Sequence, residues 1–86
     1  MNEQDILEEL LSLLESKDIA IRREALGGSG GGLCAVKGKQ ILFVDTQASA
    51  GEMAVICAEV VPKIVDIETV YIRPEVRQFI ENYSTS

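Results

Sequence analysis

The run Gly27-Gly28-Ser29-Gly30-Gly31-Gly32 is the segment whose composition best suits binding of a small ligand. Glycine adopts left-handed backbone angles and lets another molecule approach the main chain closely. Two lysines follow within a few residues and would attract an anion. This combination predicts a small-anion or nucleotide site, and its candidate binding residues are Gly28, Gly30, Gly31, Gly32, Lys37 and Lys39.

The glycine run does not fit the common phosphate-binding motifs. A dinucleotide fingerprint that starts at Gly28 would need glycine where Leu33 stands. A Walker loop ending in Gly38-Lys39 would also need glycine at position 33, and would need Ser or Thr in place of Gln40. Both motifs hold phosphate at a helix N-terminus, whereas this run lies between strand-like segments. A flexible hairpin loop that binds nothing is the simpler interpretation.

Few residues in this chain could carry out catalysis. The sequence has no histidine, which excludes Ser-His and Cys-His couples and any zinc site that uses imidazole. The cysteines Cys34 and Cys57 lack Cys-x-x-Cys spacing, so we expect buried free thiols, with Cys34 facing the core. A reactive thiol at Cys34 or a carboxylate pair is the less favoured alternative. The sequence predicts no enzyme activity, no metal and no cofactor.

Length and charge limit the class of protein. With 86 residues, 47% hydrophobic and 26% charged, the chain is expected to form one domain with a thin core. A net charge of -6 argues against binding nucleic acid or anionic lipid. The longest apolar run, Met53 to Ala58, is far shorter than the roughly 20 residues of a membrane span. Because the acidic start also lacks the basic region of a signal peptide, we expect a cytoplasmic protein.

Hydrophobic periodicity predicts an α+β fold. Helices are indicated by a leucine stripe on an acidic N-terminal segment, by a capping box at Ser49 to Glu52 and by Pro74 at a first helical position. Strand-like segments precede and follow the glycine run. The predicted order is an amphipathic helix over 3–16, a three-stranded antiparallel meander over 19–26, 33–36 and 40–45, a buried helix from Ser49 to Pro62, a short strand over 70–72 and a C-terminal helix.

The meander prediction also assigns the two faces of the sheet. Pairing of Leu26 with Leu33 across the glycines, and of Lys37 with Gln40 across a two-residue turn, fixes the register. That register places a mainly apolar set on the core face, namely Ile21, Ala25, Cys34, Val36, Ile41 and Phe43. It leaves Leu42 and Val44 on the opposite face.

More apolar surface is predicted than one small core can bury. The third strand is apolar on both faces, and the second helix is apolar nearly all round. The predicted interface residues are Leu42, Val44, Val55 and Ile56. We therefore expect a noncatalytic interaction module that forms a homodimer, with a further protein partner as an additional option and a self-sufficient monomer as the alternative.

The order of several short strings resembles a group of small bacterial proteins without assigned activity. These strings are Gly30-Gly31-Gly32-Leu33-Cys34, then Lys37-Gly38-Lys39, then Ile41 to Asp45, and finally Val70 to Arg77. The resemblance covers about residues 27 to 80. It supports the domain boundaries and implies no residue roles.

A second resemblance is to short zinc metallopeptidase domains, in which a strand precedes a helix with His-Glu-x-x-His. The corresponding residues here are Ala58-Glu59-Val60-Val61-Pro62. Glu59 stands at the position of the general base, but Ala58 and Pro62 replace both histidine ligands. The resemblance therefore implies at most a shared strand-helix arrangement, without zinc and without peptidase activity.

Overall fold

A mixed three-stranded sheet with helices on one of its faces is the framework of the protein, here in a computed structural model that describes residues 1–84. The α+β class is confirmed. The elements in chain order are α1 (Glu3–Glu15), β1 (Ala20–Glu24), β2 (Gly31–Val36), β3 (Lys39–Asp45), α2 (Ala50–Ile64) and α3 (Pro74–Tyr83).

The helices begin where their local sequence predicts. The side chain of Asn2 accepts a hydrogen bond from the backbone N–H of Asp5 and caps α1. The hydroxyl oxygen of Ser49 accepts from the N–H of Glu52 at 3.1 Å, which confirms the predicted cap of α2. Pro74 opens α3, as expected for a residue that lacks a backbone donor.

The strand order is β1-β3-β2, so the predicted antiparallel meander is wrong. β1 pairs in parallel with β3, and β2 pairs antiparallel with β3 from the other side. The chain between β1 and β2 is therefore not a hairpin but a connection that crosses the C-terminal end of β3. The predicted partners Leu26 and Leu33 do not pair, and Leu26 N–H donates instead to Asp45 at the end of β3.

The register of the β2-β3 hairpin differs from the predicted one by two positions. Val36 pairs with Lys39, and the two turn residues are Lys37 and Gly38, with φ of 51° and 80°. A two-residue turn with positive φ at both positions matches the right-handed twist of the strands it joins. The predicted pairing of Lys37 with Gln40 would have placed Lys39 in this turn and is incorrect.

The helix-covered face is the one opposite to that predicted. Leu42 and Val44 are 0% and 4% exposed and belong to the hydrophobic core, with Ile21 and Leu33 packed against it. Side chains alternate along a strand, so Ile41 and Phe43 of β3 face away from the helices. The predicted core face is wrong for Ala25, Cys34, Val36, Ile41 and Phe43, which are exposed or half-buried.

The helices pack on one another as well as on the sheet. α1 lies over β1, α2 lies over β2, and the two helices contact each other along their length. α1 buries Leu7, Leu10, Leu11 and Leu14 in this contact. α3 packs on α2 and α1 through Val76 and Ile80.

The segment between α2 and α3 contains no strand within the described residues. Asp66 instead organises a turn in which its side chain accepts from Glu68 N–H and its carbonyl accepts from Thr69 N–H. The predicted short strand over 70–72 is therefore wrong, although Ile72 is buried. Among residues 1–84, no helix has the length and apolar character needed to cross a bilayer.

Candidate functional site

The glycine run is held against the sheet by the buried carboxylate of Asp45. This residue ends β3 and is 1% exposed. Its Oδ1 accepts hydrogen bonds from the backbone N–H of Leu26 at 3.0 Å and of Gln47 at 2.9 Å. Its Oδ2 accepts from the N–H of Gly30 at 3.0 Å. One side chain therefore ties the β1-β2 connection to the end of the central strand.

The environment of Asp45 favours its charged form. Burial raises the pKa of the carboxyl, but backbone N–H groups of Gly30, Gln47, Leu26 and Gly28 donate to it and lower the pKa. The lowering prevails, so the pKa of Asp45 lies below its ordinary value. The connection is thus organised around an internal anion.

This arrangement separates the parts of the predicted anion site. Gly28 and Gly30 direct backbone N–H groups at Asp45, where a bound anion would meet a like charge. The glycines stand at the beginning of β2, whereas Lys37 and Lys39 stand at its other end. Five residues of extended chain separate those ends by roughly 17 Å. The structure therefore does not bring the glycines and the lysines together.

Two of the glycines permit close packing. A Cβ atom on Gly31 would collide with the carbonyl oxygen of Phe43, and the φ of Gly31 is 84°. A Cβ atom on Gly30 would lie 2.9 Å from Ile56 Cδ1 of α2. These glycines let the connection pass closely between the end of β3 and the middle of α2.

Asp45 was not among the residues that the sequence pattern singled out. A signal was nevertheless present, because an aspartate at the end of an apolar strand often accepts a hydrogen bond from the N–H two residues later. Asp45 makes this bond to Gln47. The side chain of Gln47 in turn accepts from Gly27 N–H at 2.6 Å.

The side of the sheet that faces away from the helices, the open face, carries a central apolar strip. Ile41 and Phe43 of β3 are half-buried and lie outside the hydrophobic core. On β2, Cys34 is exposed and Val36 is 44% exposed. Pairing places Cys34 beside Ile41 and Gly32 beside Phe43. The strip is continuous across two strands.

Charged residues lie at the margin of the open face. Arg22 pairs with Phe43 across the β1-β3 ladder, and its Nε lies 3.3 Å from a carboxylate oxygen of Glu24. Lys39 begins β3 and is exposed. The open face therefore has an apolar centre with charges along one edge and at one end.

The predicted interface residues have different environments. Leu42 and Val44 are core residues, so their prediction as interface residues is wrong. Ile56 is half-buried and packs against the core. Val55 is half-buried and lies outside the core cluster of the described residues, so it keeps some accessible apolar surface.

The two thiols differ in accessibility. Cys57 is fully buried on α2, and burial raises its pKa to about 12. Cys34 is exposed, which corrects the prediction of a buried thiol at that position. The difference arises because the helices cover the other face of the sheet, whereas Cys34 lies on the open face beside its partner Ile41.

Acidic side chains cluster on the solvent side of α1. Arg23 lies 3.5 Å from Glu8, and Arg73 lies 3.1 Å from Glu9, each measured between nitrogen and carboxylate oxygen. Within residues 1–84 no three cysteine or carboxylate side chains are grouped closely enough to hold a metal ion. α1 has five acidic residues and no basic one, against a net charge of -6 for the whole chain, so the net negative charge is concentrated on this helix.

No protein-family model, no curated protein and no solved structure matches this chain. In chain order, β3 is followed by α2. Glu59 lies exposed on α2, between buried Ala58 and Val60.

Proposed function

We propose that this protein is a small noncatalytic interaction module that associates with itself, most simply as a twofold dimer, through its sheet. The observation that carries the proposal is the open face. One side of the sheet is covered by helices, and the other presents Ile41 and Phe43 at its centre without packing from the core.

The composition of the open face fits a protein contact. Interface centres are depleted in charge, and their rims are polar. Here Ile41, Phe43 and Val36 form the centre, while Arg22 and Glu24 form one rim. An apolar patch with a polar rim marks an interaction site on a soluble protein.

The size of the open face limits the strength of that contact. Strand spacing and rise per residue give the face dimensions of roughly 14 Å by 20 Å, or roughly 300 Å². Two copies stacked face to face would then bury roughly 600 Å², which is below the roughly 1,200 Å² of a standard stable interface. We therefore expect association that depends on protein concentration.

The interior groups support a noncatalytic role. The carboxylate of Asp45 is occupied by backbone donors from the connection it holds. The thiol of Cys57 is buried, and its raised pKa keeps it protonated and unreactive. An exposed free thiol at Cys34 suits a reducing compartment, so the proposal places the protein in the cytoplasm.

Binding of a small anion by the glycine run is not carried forward as a second function. The N–H groups of Gly28 and Gly30 already point at Asp45, and Lys37 and Lys39 lie at the opposite end of β2. The geometry favours the contact surface over the ligand site.

Sedimentation equilibrium between about 10 µM and 1 mM tests the proposed function. The apparent mass is expected to rise from 9.4 kDa towards twice that value. Phe43→Glu places a charge at the centre of the open face and is expected to shift the midpoint of association at least tenfold higher in concentration.

Tyr71→Glu is the matched control, because Tyr71 is an aromatic residue, 84% exposed, that lies outside the sheet. It should associate like the unchanged protein. Circular dichroism checks that both variants are folded. A constant mass of 9.4 kDa for the unchanged protein throughout this range would contradict the proposal.

A further inference from the structure

The outer edge of β2 has backbone groups that can pair with another strand. β2 is at one end of the strand order, so it has β3 on one side only. Because Lys37 and Gly38 form a two-residue turn, Val36 and Lys39 exchange hydrogen bonds. In an antiparallel ladder the direction of the backbone groups alternates from residue to residue. The N–H and C=O of Cys34 therefore bond to β3, whereas the N–H and C=O of Leu33 and Ala35 point outward.

The edge of β2 also lacks the features that prevent strands from pairing between molecules. Such features include charged side chains and proline on the edge strand. β2 has neither from Gly31 to Val36. The opposite edge is different, because β1 contains Arg22, Arg23 and Glu24.

The distribution of charge favours a second copy at this edge. α1, which has five acidic residues and no basic one, lies over β1. Copies that met through β1 would bring their like-charged α1 helices together. Copies that met through β2 would keep those helices at the two far ends of a shared sheet.

We infer that β2 pairs antiparallel with β2 of a second copy, around a twofold axis at Cys34. This inference rests on the self-association proposed above and adds an edge contact to the contact through the open face. In this register Leu33 lies opposite Ala35 of the second copy, and Ala35 lies opposite Leu33. All the outward groups of these two residues are then satisfied, by about four backbone hydrogen bonds.

The edge contact also enlarges the open face. A twofold axis perpendicular to the sheet places the open faces of both copies side by side in one six-stranded sheet. The continuous face then measures roughly 600 Å² by the same spacings. The two Cys34 residues stand directly opposite each other on that face, in a pair that does not exchange hydrogen bonds, with Cα atoms about 4.5 Å apart.

The first test is a set of edge variants analysed by sedimentation equilibrium. Ala35→Pro removes an outward N–H that does not bond to β3, and Ala35→Lys puts a charge on the edge strand. Either variant is expected to raise the association midpoint at least tenfold. The control is Ala25→Lys, because Ala25 is an exposed alanine directly after β1 on the opposite edge.

The second test is oxidation of the native thiols with copper-phenanthroline and oxygen. Two Cys34 thiols lose two protons and two electrons to this oxidant and form one disulfide. The Cα separation expected in the paired strands falls within the range that a disulfide spans. The control is the double variant Cys34→Ser, Tyr71→Cys, which moves the exposed thiol outside the sheet. We expect the unchanged protein to be cross-linked at least tenfold faster than the control.

The outcomes separate this inference from the proposed function. If the unchanged protein remains at 9.4 kDa, both are overturned. If it associates and Phe43→Glu weakens association while both Ala35 variants match Ala25→Lys, self-association stands and the edge contact is overturned. Equal rates of cross-linking in the unchanged protein and the control would also overturn the edge contact.

Discussion

Truncation of neighbouring residues on β3 tests which face of the sheet is the core. Leu42 is 0% exposed, whereas Ile41 is half-buried on the open face. The two side chains are isomers of the same size. Leu42→Ala removes apolar atoms from a closed environment, which costs about 2–5 kcal/mol. Full burial of such a side chain contributes roughly 1.5–3 kcal/mol, and Ile41 is only half-buried. We therefore expect Ile41→Ala to lower the free energy of unfolding by about 1 kcal/mol.

The assay is thermal and urea unfolding at about 5 µM, a concentration low enough to limit association. For a domain of this size, 1 kcal/mol corresponds to roughly 4–8 °C in Tm. Leu42→Ala should therefore lower Tm by at least about 8 °C, and Ile41→Ala by about half of that or less. Equal losses, or a larger loss for Ile41→Ala, would show that the assignment of the two faces is wrong.

Three further predictions concern the connection around Asp45 and the two thiols. Gly31→Ala should lower the free energy of unfolding in urea by at least about 2 kcal/mol, because the new Cβ atom would collide with backbone in addition to the cost of positive φ. The control Gly27→Ala should cost about 1–2 kcal/mol, because Gly27 has a φ of 73° but open space around it. Because the pKa of Asp45 in the folded protein is lower than its ordinary value of 3.8, its carboxylate stabilises the fold at pH values above 3.8, and this stabilisation is lost as the pH falls through the folded pKa. Tm should therefore drop more steeply below about pH 4 in the unchanged protein than in Asp45→Asn. Maleimide should label the exposed Cys34 thiol in the native state. Burial raises the pKa of Cys57 from an ordinary 9.0 to about 12, so labelling of the Cys57 thiol should be at least about a thousandfold slower than for a thiol with the ordinary pKa. Similar labelling rates at both thiols would contradict the burial of Cys57.

Local sequence signals predicted the helices well. The leucine stripe of α1, the cap at Ser49 and the first-turn Pro74 each depend on residues within four positions of one another. α2 continues past the predicted end at Pro62 to Ile64, and α1 ends at Glu15, one residue before the predicted end. Pro62 is exposed, so its ring is accommodated on the solvent side.

The sheet was predicted less well because its strand pairing depends on which residues form the hairpin turn and on contacts between residues that are far apart in the sequence. Placing Lys37 rather than Lys39 in the hairpin turn moves each partner on β3 by two positions, so that Cys34 pairs with Ile41 instead of Phe43 while the two strands keep the same shared face. Glycine at the second turn position favours the observed turn, since Gly38 accepts positive φ without strain. This signal was available in the sequence.

The parallel pairing of β1 with β3 had no comparable local signal. It depends on Asp45 accepting N–H groups from Leu26 and Gly30, which precede it by 19 and 15 positions. Hydrophobic periodicity does not report such a contact, and a run of glycines between two strands is more typical of a hairpin. The contact between the glycine run and Asp45 had no local signal either, since the carboxylate that accepts from Gly30 is distant in sequence.

Amide hydrogen exchange at Leu33 and Ala35 tests most directly whether the protein associates through the edge of β2. Both amides point away from β3, and the amide of Cys34 between them, which bonds to β3, is an internal reference. NMR exchange rates measured at about 20 µM and 1 mM should show Leu33 and Ala35 slowing at least tenfold at the higher concentration, with Cys34 slow at both. Rapid exchange of Leu33 and Ala35 at both concentrations would contradict the edge pairing.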